Sequence, residues 1–142
     1  MVTAVAKQYL KNMYIIVNPT NQVIPSQLAN TLSVNPSNVS KMTRKLAKHG
    51  WIEYEHYGKM YLTKKGKQLG QTLVKNHEVL EQFLKMIGVE DAYIVKELYE
   101  IEFHISPYLI KQIEILNQYF SQDELRLQSF YQFRNNTIPP LL

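Results

Sequence analysis

Cysteine is absent from the 142 residues of the chain. This absence excludes disulfide frameworks, thiolate metal sites, iron–sulfur clusters and thiol nucleophiles. The 5 glycines and 6 prolines are too few for a collagen-like or linker-like protein. No apolar run approaches the roughly 18 residues that span a bilayer, and the first residues lack the pattern of a signal peptide. We therefore expect a soluble, cytoplasmic protein with no membrane partner.

Acidic residues are nearly missing from the first half of the chain. Residues 1–75 contain eleven Lys and Arg but only two acids, Glu53 and Glu55, which gives a net charge of +9. Residues 76–142 contain five basic and ten acidic residues, a net charge of −5. A basic half of this kind favours a polyanionic partner such as nucleic acid. From charge alone, the alternative interpretation is that the basic surface is only solvated and binds no partner.

Hydrophobic spacing and helix-breaking residues predict a mainly α protein with one small β-hairpin. The hairpin is expected at 51–55 and 60–63, around Gly58. Ser121 and Glu124 have the spacing of a capping box for the last helix. The helices are expected at about 3–17, 25–32, 36–48, 64–87, 91–104, 107–120 and 122–134.

Two short helices, a tight turn and a following hairpin are typical of a winged helix–turn–helix. We therefore predict a winged helix–turn–helix DNA-binding domain at 1–70 and an all-helical dimerisation domain at 71–142. Metal binding in the second domain enters only through the family resemblance described below.

The helix at 36–48 has an apolar face and a polar, cationic face. Val39, Met42 and Leu46 recur at helical spacing and point inward. On the opposite face, an Asn can pair with adenine and Lys or Arg with guanine in the major groove of double-stranded DNA. A polar surface helix, or a winged helix that binds protein, is the alternative. The predicted DNA-binding residues are Ser26, Gln27, Pro36, Ser37, Asn38, Ser40, Lys41, Arg44, Lys45, Lys48, Tyr57 and Lys59.

Catalytic patterns are missing from the sequence. It has no Ser–His–Asp constellation, phosphate-binding loop, dinucleotide glycine fingerprint or His-Glu-x-x-His. We therefore predict that the protein is not an enzyme.

The helices of the second half carry more apolar residues than a domain of about 65 residues can bury well alone. A homodimer would cover them and present the DNA-binding face twice. The residues assigned to this dimerisation surface are Leu80, Phe83, Leu84, Ile87, Leu109, Ile113 and Leu116.

Four segments resemble the diphtheria-toxin-repressor class of metal-dependent repressors, in its short manganese-transport-regulator branch. They are residues 34–42, 61–67, 77–89 and 101–106, and the segment at 77–89 is the most specific. The resemblance implies a winged-helix domain that binds operator DNA, a helical dimerisation domain, and Mn²⁺ or another divalent transition metal bound by both. Without the resemblance, the residues themselves assign no cofactor.

The ligand positions of that family are only partly preserved. Where the branch has an Asp and a Glu on the first helix, this chain has Gln8 and Lys11. The family's Glu-x-x-Glu-His becomes Tyr99, Glu102 and Phe103, so only the middle Glu remains, while His77 is retained. Glu100 and His104 are one residue out of register, which rotates them by about 100° around a helix.

The sequence therefore predicts a homodimeric, sequence-specific transcription regulator, a repressor, with a degraded metal site. In this hypothesis the Lys11 ammonium replaces the metal cation and pairs with Glu102. A remnant site at His77, Glu81 and Glu102 that still responds to a metal is one alternative. A winged-helix module that binds protein without operator DNA is the other.

Overall fold

A computed structural model describes residues 2–137, which form two compact units that divide between residues 75 and 76. The division between the two units lies inside the helix Lys64–Ile87. The domain boundary predicted between residues 70 and 71 lies inside the same helix. Residues 138–142, which belong to the predicted second domain, lie outside the described residues. No helix between residues 2 and 137 is both long and apolar enough to cross a membrane.

The first unit contains three helices, a small sheet and the start of a fourth helix. The helices are α1 (Ala4–Ile16), α2 (Pro25–Leu32), α3 (Pro36–Lys48) and α4 (Lys64–Ile87), and the strands are β1 (Gln22–Val23), β2 (Ile52–Tyr54) and β3 (Met60–Leu62). The sheet is antiparallel in the order β1-β3-β2. The predicted hairpin is thus confirmed, and β1 is an additional strand that sequence patterning did not indicate.

Local sequence sets the helix ends of the first unit. Thr3 caps α1 by accepting a hydrogen bond from the Ala6 amide at 3.1 Å. Prolines occupy the first positions of α2 and α3, where their missing N–H costs no hydrogen bond. Ser33 adopts a left-handed conformation (φ 53°) at the end of α2 and begins the tight turn into α3. These signals explain why the short helices match their predicted bounds.

The core of the first unit lies between the helix–turn–helix and the sheet. Leu10 and Met13 of α1, Leu28 of α2 and Ile52 of β2 are among its fully buried side chains. Burial of each such side chain stabilises the fold by about 1.5–3 kcal/mol. This core fixes α3 against the wing, which we define as β2, β3 and the loop 55–59.

The second unit is helical. It contains the end of α4, α5 (Asp91–Ile101), α6 (Pro107–Ser121) and α7 (Glu124–Asn136). Ser106 caps α6 and Asp123 caps α7, so the predicted capping box at Ser121 and Glu124 is wrong. The Asp123 carboxylate accepts a hydrogen bond from the Arg126 amide at 3.2 Å and so caps α7 in place of Ser121.

The buried core of the second unit joins α4, α5 and α6. Leu80, Leu84 and Leu98 are nearly inaccessible within a single chain. The dimerisation assignment therefore needs correction for Leu80 and Leu84, whose side chains are used in packing their own unit. Phe83 and Ile113 are partly buried against the same core. Ile87, Leu109 and Leu116 remain exposed, by 40–46%.

Candidate nucleic-acid interface and the His77 cluster

The sequence of α3 separates a buried stripe from an exposed one. Val39, Thr43 and Leu46 recur at intervals of four and three residues and are at most 3% exposed. Between these positions the helix contains no Asp or Glu. All twelve predicted DNA-binding residues are exposed, including every one of those on α3. The buried face of α3 therefore anchors the helix in the core, and its other face presents polar and cationic side chains to the solvent.

The wing contacts α3 through a pair of hydroxyl groups, of which Thr43 is buried and Tyr54 is partly exposed. The Tyr54 hydroxyl of β2 donates to Thr43 Oγ1 at 2.9 Å, and the Thr43 hydroxyl donates to the Ser40 carbonyl at 3.2 Å. Sequence reasoning missed both residues, because a single Thr on a polar helix carries no distinguishing pattern. This contact adds a polar link between the wing and α3.

The tip of the wing exposes an aromatic ring. Tyr57 is fully exposed and has a left-handed backbone (φ 72°), and Gly58 beside it has φ 76°. The turn projects the Tyr57 ring and the Lys59 side chain away from the unit's core. A ring and a cation at a loop tip suit contact with a nucleic-acid backbone or groove.

The N-terminus of α2 has donors that no side chain caps. Ile24 precedes the helix and provides no hydrogen-bonding group. Ser26 and Gln27 follow Pro25 in the first turn, where backbone N–H groups lack intrahelical acceptors. Such a terminus, with the positive end of the helix dipole, suits a phosphate oxygen.

His77, Glu81 and Glu102, here called the His77 cluster, meet in the second unit. His77 Nδ1 lies 2.8 Å from Glu102 Oε1, and His77 Nε2 lies 3.3 Å from Glu81 Oε2. The Glu102 side chain is only 7% exposed. The structure thus brings together the three residues of the predicted remnant site, with one carboxylate at each ring nitrogen.

Lys85 extends the His77 cluster on the exposed side of α4. Its ammonium donates to Glu81 Oε1 at 2.8 Å and holds the pKa of that carboxyl below its usual value, with a smaller opposing effect of burial. The same ion pair raises the pKa of Lys85. Glu81 is therefore shared between an ammonium and an imidazole.

Other family ligand positions contribute few donors. Tyr99 is 69% exposed on α5, and Phe103 carries no ligand atom. Glu100 and His104 are exposed. Among residues 2–137, no group of three His, Asp or Glu side chains has an arrangement that could hold a metal ion.

Comparison with known proteins assigns the chain to a family. A family model described as "Iron dependent repressor, N-terminal DNA binding domain" matches residues 1–60. A second, described as "Iron dependent repressor, metal binding and dimerisation domain", matches residues 63–129. The chain belongs to the iron-dependent repressor family. It is thus a transcription regulator of the metal-dependent type, with a DNA-binding and a dimerisation domain, and not an enzyme.

Relatives within this family include two MntR regulators. The chain is 42% identical over 129 residues to the HTH-type transcriptional regulator MntR of Geobacillus kaustophilus, covering 91% of this chain and 92% of that one. The MntR of Geobacillus thermodenitrificans matches with the same identity and coverage. The predicted resemblance to the manganese branch is therefore confirmed.

Solved structures of manganese regulators share the fold. The manganese regulator SloR is similar with a TM-score of 0.68 and 26% identity over 80% of this chain. A manganese-dependent transcriptional repressor in complex with manganese gives 0.66 and 27% over 79%. This chain spans only 54% and 52% of their lengths.

Proposed function

We propose that this chain is a homodimeric repressor that binds double-stranded operator DNA in the cytoplasm through α3 and the wing. The observation that carries this proposal is the exposed face of α3, which combines Asn38, Lys41 and Arg44 with no acidic residue. An α-helix fits the major groove, where these three side-chain types can bind base edges.

The surrounding groups supply contacts of a different kind. Lys45 and Lys48 lie in the last turns of α3 and Lys59 at the wing tip, where each can neutralise a phosphate. The N-termini of α2 and α3 add backbone donors. Phosphate contacts give affinity and orientation, and the base contacts of α3 give sequence specificity.

We further infer that the ancestral manganese site is degraded. Mn²⁺ prefers several hard oxygen ligands, usually carboxylates. Gln8, Lys11, Tyr99 and Phe103 remove three carboxylates and one imidazole from the set implied by the family, and Lys11 adds a positive charge. This donor set does not fit a divalent manganese ion.

A metal response through the His77 cluster is the second candidate, because its three side chains are in contact. Glu81 and Glu102 lie at different nitrogens of one imidazole, so they converge on the ring and not on a common point outside it. Metal binding would require the ring to leave at least one carboxylate. The arrangement thus favours a network of hydrogen bonds over a metal site.

Lys11 is proposed to replace the missing cation in the charge balance of Glu102. A carboxylate as buried as Glu102 needs compensating charge and hydrogen bonds. A double-mutant cycle of Lys11→Met and Glu102→Gln measures this coupling, with a stabilising interaction above about 0.5 kcal/mol expected. Additive effects of the two substitutions would contradict the replacement.

Fluorescence anisotropy with labelled DNA from upstream of the protein's gene tests the proposed function. One series contains EDTA and the other contains Mn²⁺. We expect sequence-dependent binding in both, with affinities equal within about twofold, and a steep loss of affinity with salt. A sharp rise with Mn²⁺ that His77→Ala abolishes would support the second candidate. Absence of DNA binding at low salt in both series would favour the protein-binding module.

A further inference from the structure

The first unit contains a cavity of about 270 Å³ beside the C-terminal end of α3. Its apolar wall consists of Ala6, Met42, Leu46 and the Trp51 ring. Ala6 and Leu46 are buried, while Met42 and Trp51 are half-buried. Such a wall suits a small hydrocarbon body, since drug-sized ligands occupy pockets of about 300–1,000 Å³.

The rim of the same cavity is cationic. Lys45, His49 and Lys65 line it, and none of its lining residues is acidic. Lys65 Nζ lies 4.0 Å from the centre of the Trp51 ring and donates to the His49 carbonyl at 2.9 Å. An ammonium fixed in this way keeps further N–H groups for an anion.

The N-terminal end of α1 also reaches this cavity, through its cap residue Thr3. The first turn of α1 contains no acidic residue that would offset the positive end of the helix dipole. The wall, the rim and the helix end thus favour one kind of ligand, with an apolar body and a single negative group.

We propose that this cavity binds a small organic anion, an aromatic carboxylate of one ring. The ring packs against Met42 and Trp51, and the carboxylate accepts from Lys45 and Lys65. A phosphodiester has no apolar body to fill the wall, which distinguishes this ligand from the DNA backbone.

Occupation of the cavity would alter DNA binding, and this part of the inference rests on the proposed function. Lys45 belongs both to the rim and to the predicted phosphate contacts. A bound carboxylate neutralises it, so operator affinity falls by a few fold and the salt dependence weakens by about one counterion.

Trp51 is the single tryptophan of the chain, so its fluorescence reports binding directly. The intact protein is titrated with benzoate, with neutral benzamide and with inorganic phosphate at constant ionic strength. We expect a saturable change with benzoate, at least tenfold weaker binding of benzamide, and no change with phosphate. No saturable change with benzoate up to about 10 mM would overturn the site, as would equal binding of benzamide.

Two variants of α3 give a matched comparison. Lys45→Gln should weaken benzoate binding about tenfold, because a charge-assisted hydrogen bond is lost. Lys48→Gln changes a neighbouring exposed lysine that does not line the cavity, and should stay within about twofold. Equal losses of benzoate affinity in the two variants would indicate unspecific attraction of the anion to lysines and would overturn the site. Benzoate binding without a change in operator affinity would overturn only the regulatory role of the cavity. The fluorescence titration contains no DNA, so it tests the cavity independently of the proposed function.

Discussion

Thr43 is a buried hydroxyl on a helix whose exposed side is polar, and its partner Tyr54 is in the wing. The inward positions Val39 and Leu46 were predictable from helical spacing. The Thr43 contact was not, because it depends on the approach of β2. In the His77 cluster, Glu81 shares a helix face with His77 by spacing, whereas Glu102 could be assigned to the cluster only through the family resemblance, because it lies on a different helix segment.

Loss of the Thr43–Tyr54 hydrogen bond should destabilise the first unit modestly. Thr43→Val leaves the shape nearly unchanged and should lower the free energy of unfolding by about 1 kcal/mol. Tyr54→Phe should have a similar effect, and the double variant should cost less than the sum. Urea denaturation of the three variants checks this. Strictly additive effects would show that the hydroxyls do not interact.

Arg44→Ala should reduce sequence-specific DNA binding more than binding to unrelated DNA. One base contact contributes about 1–3 kcal/mol of discrimination. Lys96→Ala removes an exposed cation from α5 and serves as the control, with no expected change. Competition anisotropy with operator and scrambled DNA gives both affinities. A proportional loss on both DNAs would place Arg44 on the phosphate backbone.

At the scale of elements, glycines in the first turns of α4 allow close packing. A Cβ on Gly66 would overlap the Trp51 carbonyl oxygen, and one on Gly70 would lie 2.5 Å from Tyr14 Cβ. From sequence, these glycines predicted only a weaker helix start. Their role depends on neighbours that sequence spacing does not reveal. Strand β1 was missed for a related reason, since two residues carry no alternation and pair only because β3 lies beside them.

Gly66→Ala should therefore destabilise the protein although alanine is the better helix former. The clash is with backbone atoms, so a loss of about 1–3 kcal/mol is expected in place of the gain of up to about 1 kcal/mol that propensity alone predicts. Gln68→Ala, on an exposed position of α4, should change stability by less than about 0.5 kcal/mol. Thermal denaturation followed by circular dichroism measures both. A more stable Gly66→Ala variant would refute the packing argument.

At the scale of the whole molecule, the charge asymmetry and the family division agree. The basic half is the DNA-binding domain, and the acidic half is the dimerisation domain. Composition favoured a polyanionic partner for the basic half, and the helix–turn–helix pattern with its following hairpin was needed to predict DNA binding. Which apolar residues stay exposed on the second unit was predicted less well, because helical spacing does not separate a domain's own core from its outer surface, as Leu80 and Leu84 show.

Dimerisation should be sensitive to a charged substitution at the exposed residues Leu109 and Leu116 of α6. Leu116→Glu should shift the protein towards monomer in sedimentation equilibrium while its helical content stays unchanged, because a charge in an apolar interface is left unpaired. Leu125→Glu alters an exposed leucine of α7 outside the predicted surface and should leave the dimer intact. Dimerisation unaffected by Leu116→Glu would remove this residue from the interface.

Hydroxyl-radical footprinting of the purified protein on its operator tests the central claim most directly. A two-fold assembly that places α3 in the major groove twice predicts two protected half-sites, separated by about 34 Å or a multiple of it. Protection should be present in EDTA and disappear with the combined variant Lys41→Ala and Arg44→Ala. A single protected segment, or a footprint that survives this variant, would contradict the account.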